Sequence, residues 1–375
     1  MKDLSLSAQT IALHTKTPLE GADPSVTPIF QNSAFENTSP YFYTRKANPN
    51  SQEFEEVIKT FEEANHAISV TTGMTAISLV INLLDVGQTL VINKDIYGCS
   101  YKLFQRFVKK RKINLVILDL SVNENLVQIP NNADMILFET PTNPFLKTIN
   151  IEKVSKVAKK DNPKCLIVVD NTWATPLFQK PLKHGADISL YSATKYFSGH
   201  SDVMGGIIVT DDTEIAETLR EERFYGGAIL APYGAWLLRR SLQTLKLRMQ
   251  EHQRITQDYV DFLRDIPQVK KIYFPQVDGH QLEAYGGILF FEFSDELIDP
   301  YPTFMSTLKL FGTGTGMACV TSMVAQPHSG SHASMNEAEK KEMGITPKLA
   351  RLCFGFEDPE DIKNDLKLAF AALKS

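Results

Sequence analysis

Ile188-Ser-Leu-Tyr-Ser-Ala-Thr-Lys-Tyr-Phe-Ser-Gly-His200 is the stretch on which the reading of this chain turns. It opens as a short apolar alternation ending at Ser192, and a second β-rich run, Gly206-Ile-Ile-Val-Thr210, follows closely. Between these two predicted strands sits Lys195, bracketed by Ser192, Thr194, Ser198 and Gly199. A lysine on a partly desolvated turn gives up its proton more readily, leaving an amine able to attack a carbonyl. Hydroxyls and a glycine around it can hold an anion such as a phosphate. An amine nucleophile beside a phosphate cup points to pyridoxal phosphate held as a Schiff base. A solvated loop lysine is the plainer reading of any single lysine, so the rest of the chain has to choose.

Upstream, strands and helices alternate. The run 165–169 is a buried-type strand with Asp170 at its carboxyl end, and 135–138 is another, ending in Glu139-Thr-Pro-Thr-Asn143-Pro144. Strands are also predicted over 115–118 and 89–92. The latter is followed by Tyr97-Gly-Cys99-Ser-Tyr101, which opens a helix over 102–109. Residues 67–71 lead into Thr72-Gly73-Met74-Thr75 and an apolar helical run to Leu84. Strand, glycine turn and helix point backbone N–H groups at a phosphate, although many such turns bind nothing. Several strands are apolar throughout, which predicts an α/β fold with a mostly parallel sheet covered on both faces. Ligands on such sheets bind beyond the carboxyl ends of the strands. Asp170, Asn143 and the Lys195 turn all fall there. Lys195 can then bond the cofactor, Asp170 can keep the pyridine nitrogen protonated, and Tyr97 can stack on the ring. Gly73, Met74, Ser192 and Thr194 can form the phosphate cup.

The flanks are organised differently. Residues 1–50 carry five prolines and little periodicity, so they read as an extended arm. Its end, Tyr41-Phe-Tyr43-Thr-Arg45, sets aromatics and an arginine beside a turn, suited to docking on another subunit or on its own chain. Ser51 caps a predicted helix carrying Phe54, Val57, Ile58 and Phe61 at helical spacing. From Ala235 to Asp265 nothing interrupts a helix-favouring sequence, which predicts one long helix bridging two domains. Shorter strands (271–274, 287–293) and helices (301–310, 358–373) follow. The expected division is an arm over 1–50, a cofactor-binding domain over 51–235 and a C-terminal domain over 236–375.

Composition sets the outer bounds. A chain of 375 residues, 43% apolar and 22% charged, has the length for two domains and a sizeable core. A net charge of −5 gives no electrostatic footprint for nucleic acid. The four cysteines show neither Cys-x-x-Cys nor zinc spacing and read as free thiols in a reducing compartment. With no signal-like N-terminus and no apolar run of membrane length, a cytoplasmic protein without membrane partners is expected. Gly312-Thr-Gly-Thr-Gly316 has Met317 where a dinucleotide loop needs its last glycine, and Pro327 and Gly330 argue against a helical metal face at His328 and His332. No metal is expected.

Taken together, these motifs resemble the Cys/Met-metabolism family of pyridoxal-phosphate enzymes, which includes cystathionine γ-synthases, cystathionine β- and γ-lyases and methionine γ-lyases. The resemblance runs from about His14 to about Leu373. It is carried by Tyr43-Thr-Arg45 with Asn48-Pro49, Thr72-Gly73-Met74, Tyr97-Gly98 and Glu139-Thr-Pro-Thr-Asn143-Pro144. Val169-Asp170-Asn171-Thr172, Ser192-Ala-Thr-Lys195 with Gly199-His200-Ser-Asp202, and Arg351-Leu-Cys-Phe-Gly355 complete it. It implies the aspartate-aminotransferase-like fold (fold type I) and a homotetramer of two dimers that share active sites. It further implies Lys195 as the base, Tyr97 as a proton carrier, and Arg351 as the holder of the substrate carboxylate. Tyr43 and Arg45 are expected to reach a neighbouring subunit's cofactor. The implied reaction is β- or γ-elimination from a sulfur amino acid, giving a thiol, a 2-oxo acid and ammonia. The alternatives are γ-replacement on an activated homoserine and a catalytically silent binding protein. Two departures bear on the substrate. Gly316-Met-Ala-Cys-Val-Thr321-Ser322 replaces the usual Ser-Leu-Gly-Gly-x-Glu-Ser, so Thr321 stands in place of a glutamate near the distal end of the substrate, while Ser322 is still available to the carboxylate. Cys99 resembles the cysteine of methionine γ-lyases, which favours a compact substrate, whereas Arg223-Phe224 stands where those lyases tend to carry Lys-Asp.

Overall fold

Strands that are apolar along their whole length have to bury both faces, and here they do so in one twisted layer. The computed structural model describes residues 6–19, 21–22 and 24–373. Its larger sheet contains β1 (His66–Val70), β2 (Thr89–Asn93), β3 (Asn114–Leu118), β4 (Met135–Glu139), β5 (Leu166–Asp170), β6 (Ile188–Ser192) and β7 (Gly206–Thr210). The spatial order is β1-β7-β6-β5-β4-β2-β3. Pairs β3/β2, β2/β4, β4/β5 and β5/β6 are parallel, while β7 runs antiparallel to both β6 and β1. The connection from β6 to β7 holds no helix to carry the chain back across the sheet, so the return strand is antiparallel. Alternate residues of β4 serve opposite faces. Met135 and Leu137 join the core with Ile77, Phe104 and Leu190, whereas Ile136 and Phe138 join the one with Ile151, Val154 and Val169.

A second sheet follows in the chain, with order β10-β11-β12-β9-β8, from β8 (Val269–Tyr273), β9 (Ile288–Phe293), β10 (Gly312–Thr313), β11 (Met323–Ala325) and β12 (Leu349–Cys353). Its apolar face packs on the helices Leu245–Arg264 and Pro359–Ala371, through Tyr259, Phe291, Phe293, Phe304, Phe354 and Phe370. No helix among the described residues is long and apolar enough to cross a membrane.

Three local expectations need correction. The arm contains a helix, Ala8–His14, capped by Ser7 and docked through Gln9 Nε2 on the Gln243 carbonyl (3.1 Å); seven residues are too few to show periodicity. The next helix begins at Pro49, with Asn48 rather than Ser51 as its cap, because the Asn48 side chain accepts the Asn50 N–H (2.9 Å) and proline suits the first helical position. The long helix is two, Pro232–Leu242 and Leu245–Arg264. The Ser241 carbonyl, which a continuous helix would pair with residue 245, instead accepts Thr244 N–H (3.1 Å) and Arg248 Nη2 (3.0 Å). Arg351 lies on the central strand of the second sheet, β12.

Candidate active site

The carboxyl ends of β1, β4, β5 and β6 open into a cavity of about 540 Å³. Its lining includes Gly73, Met74, Tyr97, Cys99, Asn143, Asp170, Ser192, Thr194 and Lys195, so residues far apart in the chain meet at one place. Lys195 sits in a tight turn in which its N–H donates to the Ser192 carbonyl (3.1 Å) and its carbonyl accepts from Gly199 N–H (2.8 Å). Burial pulls its ammonium pKa down, and the positive charge of Arg351 adds to this.

Two carboxyl groups share the floor. Glu139 and Asp170 are paired in register at the ends of β4 and β5. Asp170 Oδ1 accepts from Thr172 N–H (3.0 Å) and Thr172 Oγ1 (2.5 Å), yet burial pushes its pKa up to about 6. Glu139 Oε1 accepts from the Tyr97 N–H (2.9 Å), while Oε2 is buried without a partner. Burial first, and the neighbouring Asp170 second, hold the Glu139 carboxyl well above the usual range. Two acids in so dry a place favour a protonated nitrogen as their neighbour.

Another part of the cavity wall is built by close backbone approach. A Cβ at Gly206 would lie 2.2 Å from the Thr72 carbonyl oxygen, and one at Gly73 would lie 2.8 Å from Ser192 Cβ. These contacts set the free N–H groups at the start of helix Gly73–Ile81 beside the Ser192 and Thr194 side chains, and the Thr72 hydroxyl caps that helix by accepting Thr75 N–H (3.1 Å). The resulting concavity suits a phosphate. Tyr97 precedes helix Gly98–Arg111; burial, and then Cys99, raise its phenol pKa.

Other expected site residues lie elsewhere. Arg351 is 1% exposed and stands behind the lining, its Nη2 donating to the carbonyls of Thr315 (3.3 Å) and Gly316 (2.9 Å); its Nε is unpaired. Ser322 is held by Glu357, through its N–H (2.6 Å) and Oγ (2.8 Å), and Thr321 is exposed; neither lines the cavity. Tyr43 and Arg45 are also absent from the lining. Arg45 donates to the Phe224 carbonyl (3.2 Å) and lies 4.7 Å from that ring. Arg223 pairs with Glu55 (2.6 Å) and so bears on arm packing rather than on the cavity. Glu139 and Thr172 stand inside motifs that carry the family resemblance, are not among the expected site residues, and both line the cavity. Thr172 Oγ1 bridges the Asp170 carboxylate to Ser192 N–H (2.8 Å), a link that a threonine two residues past a strand-end aspartate could have signalled. Among the described residues, no group of three or more His, Cys, Asp or Glu could hold a metal ion.

Set beside solved structures, this is a fold-type I pyridoxal-phosphate enzyme. Cystathionine γ-synthase from Xanthomonas oryzae pv. oryzae, solved in complex with aminoacrylate and cysteine, superposes with a TM-score of 0.93 over 98% of this chain and 99% of that one, at 34% identity. Residues 9–371 match the family of Cys/Met metabolism PLP-dependent enzymes, and the chain belongs to that family. It is 34% identical to cystathionine β-lyase of Lactococcus lactis subsp. cremoris (strain MG1363), over 91% of this chain and 93% of the relative. It is 35% identical to cystathionine γ-lyase of Bacillus subtilis (strain 168), over 90% and 92% respectively. Pyridoxal phosphate is the cofactor of this family. The residues present fit it, because the glycine-lined cup offers N–H groups and hydroxyls to its phosphate and the dry acid pair offers a carboxyl to its ring nitrogen.

Proposed function

We propose that this enzyme cleaves the C–S bond of a sulfur-containing amino acid by β- or γ-elimination, releasing a thiol, a 2-oxo acid and ammonia. The observation that carries the reading is the desolvated Lys195 amine in the same cavity as the buried Asp170 carboxyl. When bound, the cofactor supplies an electron sink next to the substrate α-carbon. Lys195 would hold the cofactor through its uncharged amine, and the same amine would take up the α-proton. Asp170 would keep the pyridine nitrogen protonated, and Gly73, Met74, Ser192 and Thr194 would hold the phosphate. Tyr97 would pack against the ring and pass a proton toward the leaving sulfur. Arg351, buried without a carboxylate partner among the described residues, receives the substrate carboxylate, with Asn143 beside it. Ser322 supports that region through Glu357, and Thr321 offers no charge to a second ammonium group. Met74, Met204, Met317 and Cys99 in the lining suit a compact thioether.

The superposition on a γ-synthase supports γ-replacement on an activated homoserine as the second reading. A substrate panel separates them. Incubation with methionine, cystathionine and cysteine should yield 2-oxobutyrate or pyruvate with ammonia; product only when O-acetyl- or O-succinylhomoserine is added with cysteine would replace elimination by replacement. A protein that turns over none of these while holding cofactor would be the silent binding member.

The same reading extends to a cytoplasmic homotetramer of two dimers with shared sites, divided into an arm (1–50), a cofactor domain (51–235) and a C-terminal domain (236–375). The shared site is supported by Tyr43 and Arg45 lying off their own cavity while the neighbouring Phe42 is 70% exposed. In this arrangement both residues complete the neighbouring subunit's site, Tyr43 assisting proton transfer and Arg45 the phosphate. Arg45→Ala should therefore weaken cofactor binding about tenfold or more, the loss of one charge-assisted hydrogen bond. Titration of the cofactor-free protein measures it, and unchanged affinity would argue against a shared site.

A further inference from the structure

The main chain leaving Lys195 is gripped from behind by a buried arginine. Arg248, the fourth residue of helix Leu245–Arg264, is 6% exposed. Its Nη1 donates to the Tyr196 carbonyl (2.6 Å), one residue after the lysine. Nη2 donates to the Ser241 carbonyl (3.0 Å) and Oγ (3.3 Å), and Nε to Thr244 Oγ1 (3.1 Å). Ser241 Oγ in turn donates to the Ser198 carbonyl. Gly199, at φ +67°, leaves room for the guanidinium: a Cβ there would lie 2.2 Å from Nη1. Three segments thus meet on one side chain, namely the lysine turn, the end of helix Pro232–Leu242 and the start of the next helix.

All these acceptors are neutral, and among the described residues no carboxylate pairs with Arg248. A buried charge without a counter-charge is costly, and an apolar side chain of similar length would fill the space without that cost. Burial lowers the guanidinium pKa to about 10, so it is charged at neutral pH. What the guanidinium offers is a rigid planar fork that reaches several acceptors at once, which a lysine ammonium cannot reproduce.

We infer that Arg248 is a positioning residue for Lys195, locking the lysine turn to the joint between the two helices so that the amine approaches cofactor and substrate from a fixed direction. The inference rests on the reading of Lys195 as the cofactor lysine. The test compares Arg248→Met, Arg248→Lys and Ser241→Ala with the wild-type holoenzyme. Visible absorption gives cofactor occupancy, visible circular dichroism gives how rigidly the cofactor is held, and kcat and KM are measured separately. Both Arg248 variants should retain cofactor absorption but lose more than half of the visible dichroism. Their kcat should fall about tenfold to a hundredfold, the cost of a small misplacement of a reacting group, while KM moves less than about threefold. Ser241→Ala should shift both readouts in the same direction, less far. Wild-type dichroism and kcat in either Arg248 variant would overturn the inference, as would full rescue by lysine. If Arg248→Met fails to fold, an unchanged Ser241→Ala overturns it equally. Failure of the underlying reading shows separately, as a visible band unchanged in position and intensity in Lys195→Ala.

Discussion

Lys195→Ala should abolish turnover, by about 10³-fold or more, because in the proposed reaction one side chain serves both as the bond to the cofactor and as the proton acceptor. The visible absorption of the bound cofactor disappears with it, while far-ultraviolet dichroism is unchanged. The lysine's own folding role is small: its backbone bonds to Ser192 and Gly199 make the turn, and these remain in the variant. Its ammonium is also disfavoured by burial and by Arg351, so removing it takes away a strained group rather than a support. Lys195→Arg does not rescue, since a guanidinium stays protonated and cannot attack or accept a proton. Residual activity within about tenfold of wild type in Lys195→Ala would remove the base from the mechanism.

Asp170→Asn should separate activity from stability. Activity falls about 10²-fold or more, as expected when a charge aimed at the developing electron density is lost. The cofactor-free protein, in contrast, becomes more stable at neutral pH. The Asp170 carboxyl titrates at about 6 in the fold against an ordinary value of 3.8. Between those values the folded chain binds more protons than the unfolded one, so this group's contribution to stability falls as pH rises from about 4 to about 6, by on the order of 3 kcal/mol. An asparagine carries no such charge. Thermal unfolding of the two cofactor-free proteins should therefore give a higher Tm for the variant at pH 7.5 and converging values near pH 4. A lower Tm for the variant at pH 7.5 would show that the aspartate is already satisfied without cofactor.

The contrast between these two residues shows what was legible. Asp170 could be found because an aspartate ending an all-apolar strand has only one side of a parallel sheet to occupy. Lys195 could be found because hydroxyls and glycine surround it on a turn between two strands. Glu139 was harder, since a strand-end glutamate has the same local pattern as a surface one; only its register with Asp170 shows it to be buried in an acid pair. The break at Gln243 and Thr244 was invisible for a related reason. Helix propensity there is unbroken, and the break shows only in the fold, where the Ser241 carbonyl accepts Thr244 N–H and Arg248 Nη2 in place of the N–H of residue 245.

The amino-acid sequence by itself determined the alternation of strands and helices, the predominantly parallel sheet, the family and residues, Lys195 and Asp170 among them, that line the cavity at the strand ends. Those follow from local periodicity and from motifs whose residues lie close together in the chain. Only the tertiary structure decided that two acids share one dry floor and that Arg351 stands behind loop carbonyls. It also set Tyr43 and Arg45 apart from their own cavity and joined the lysine turn to a helix joint through Arg248. These are contacts between distant segments, and desolvation, which sets their chemistry, exists only once the chain has folded.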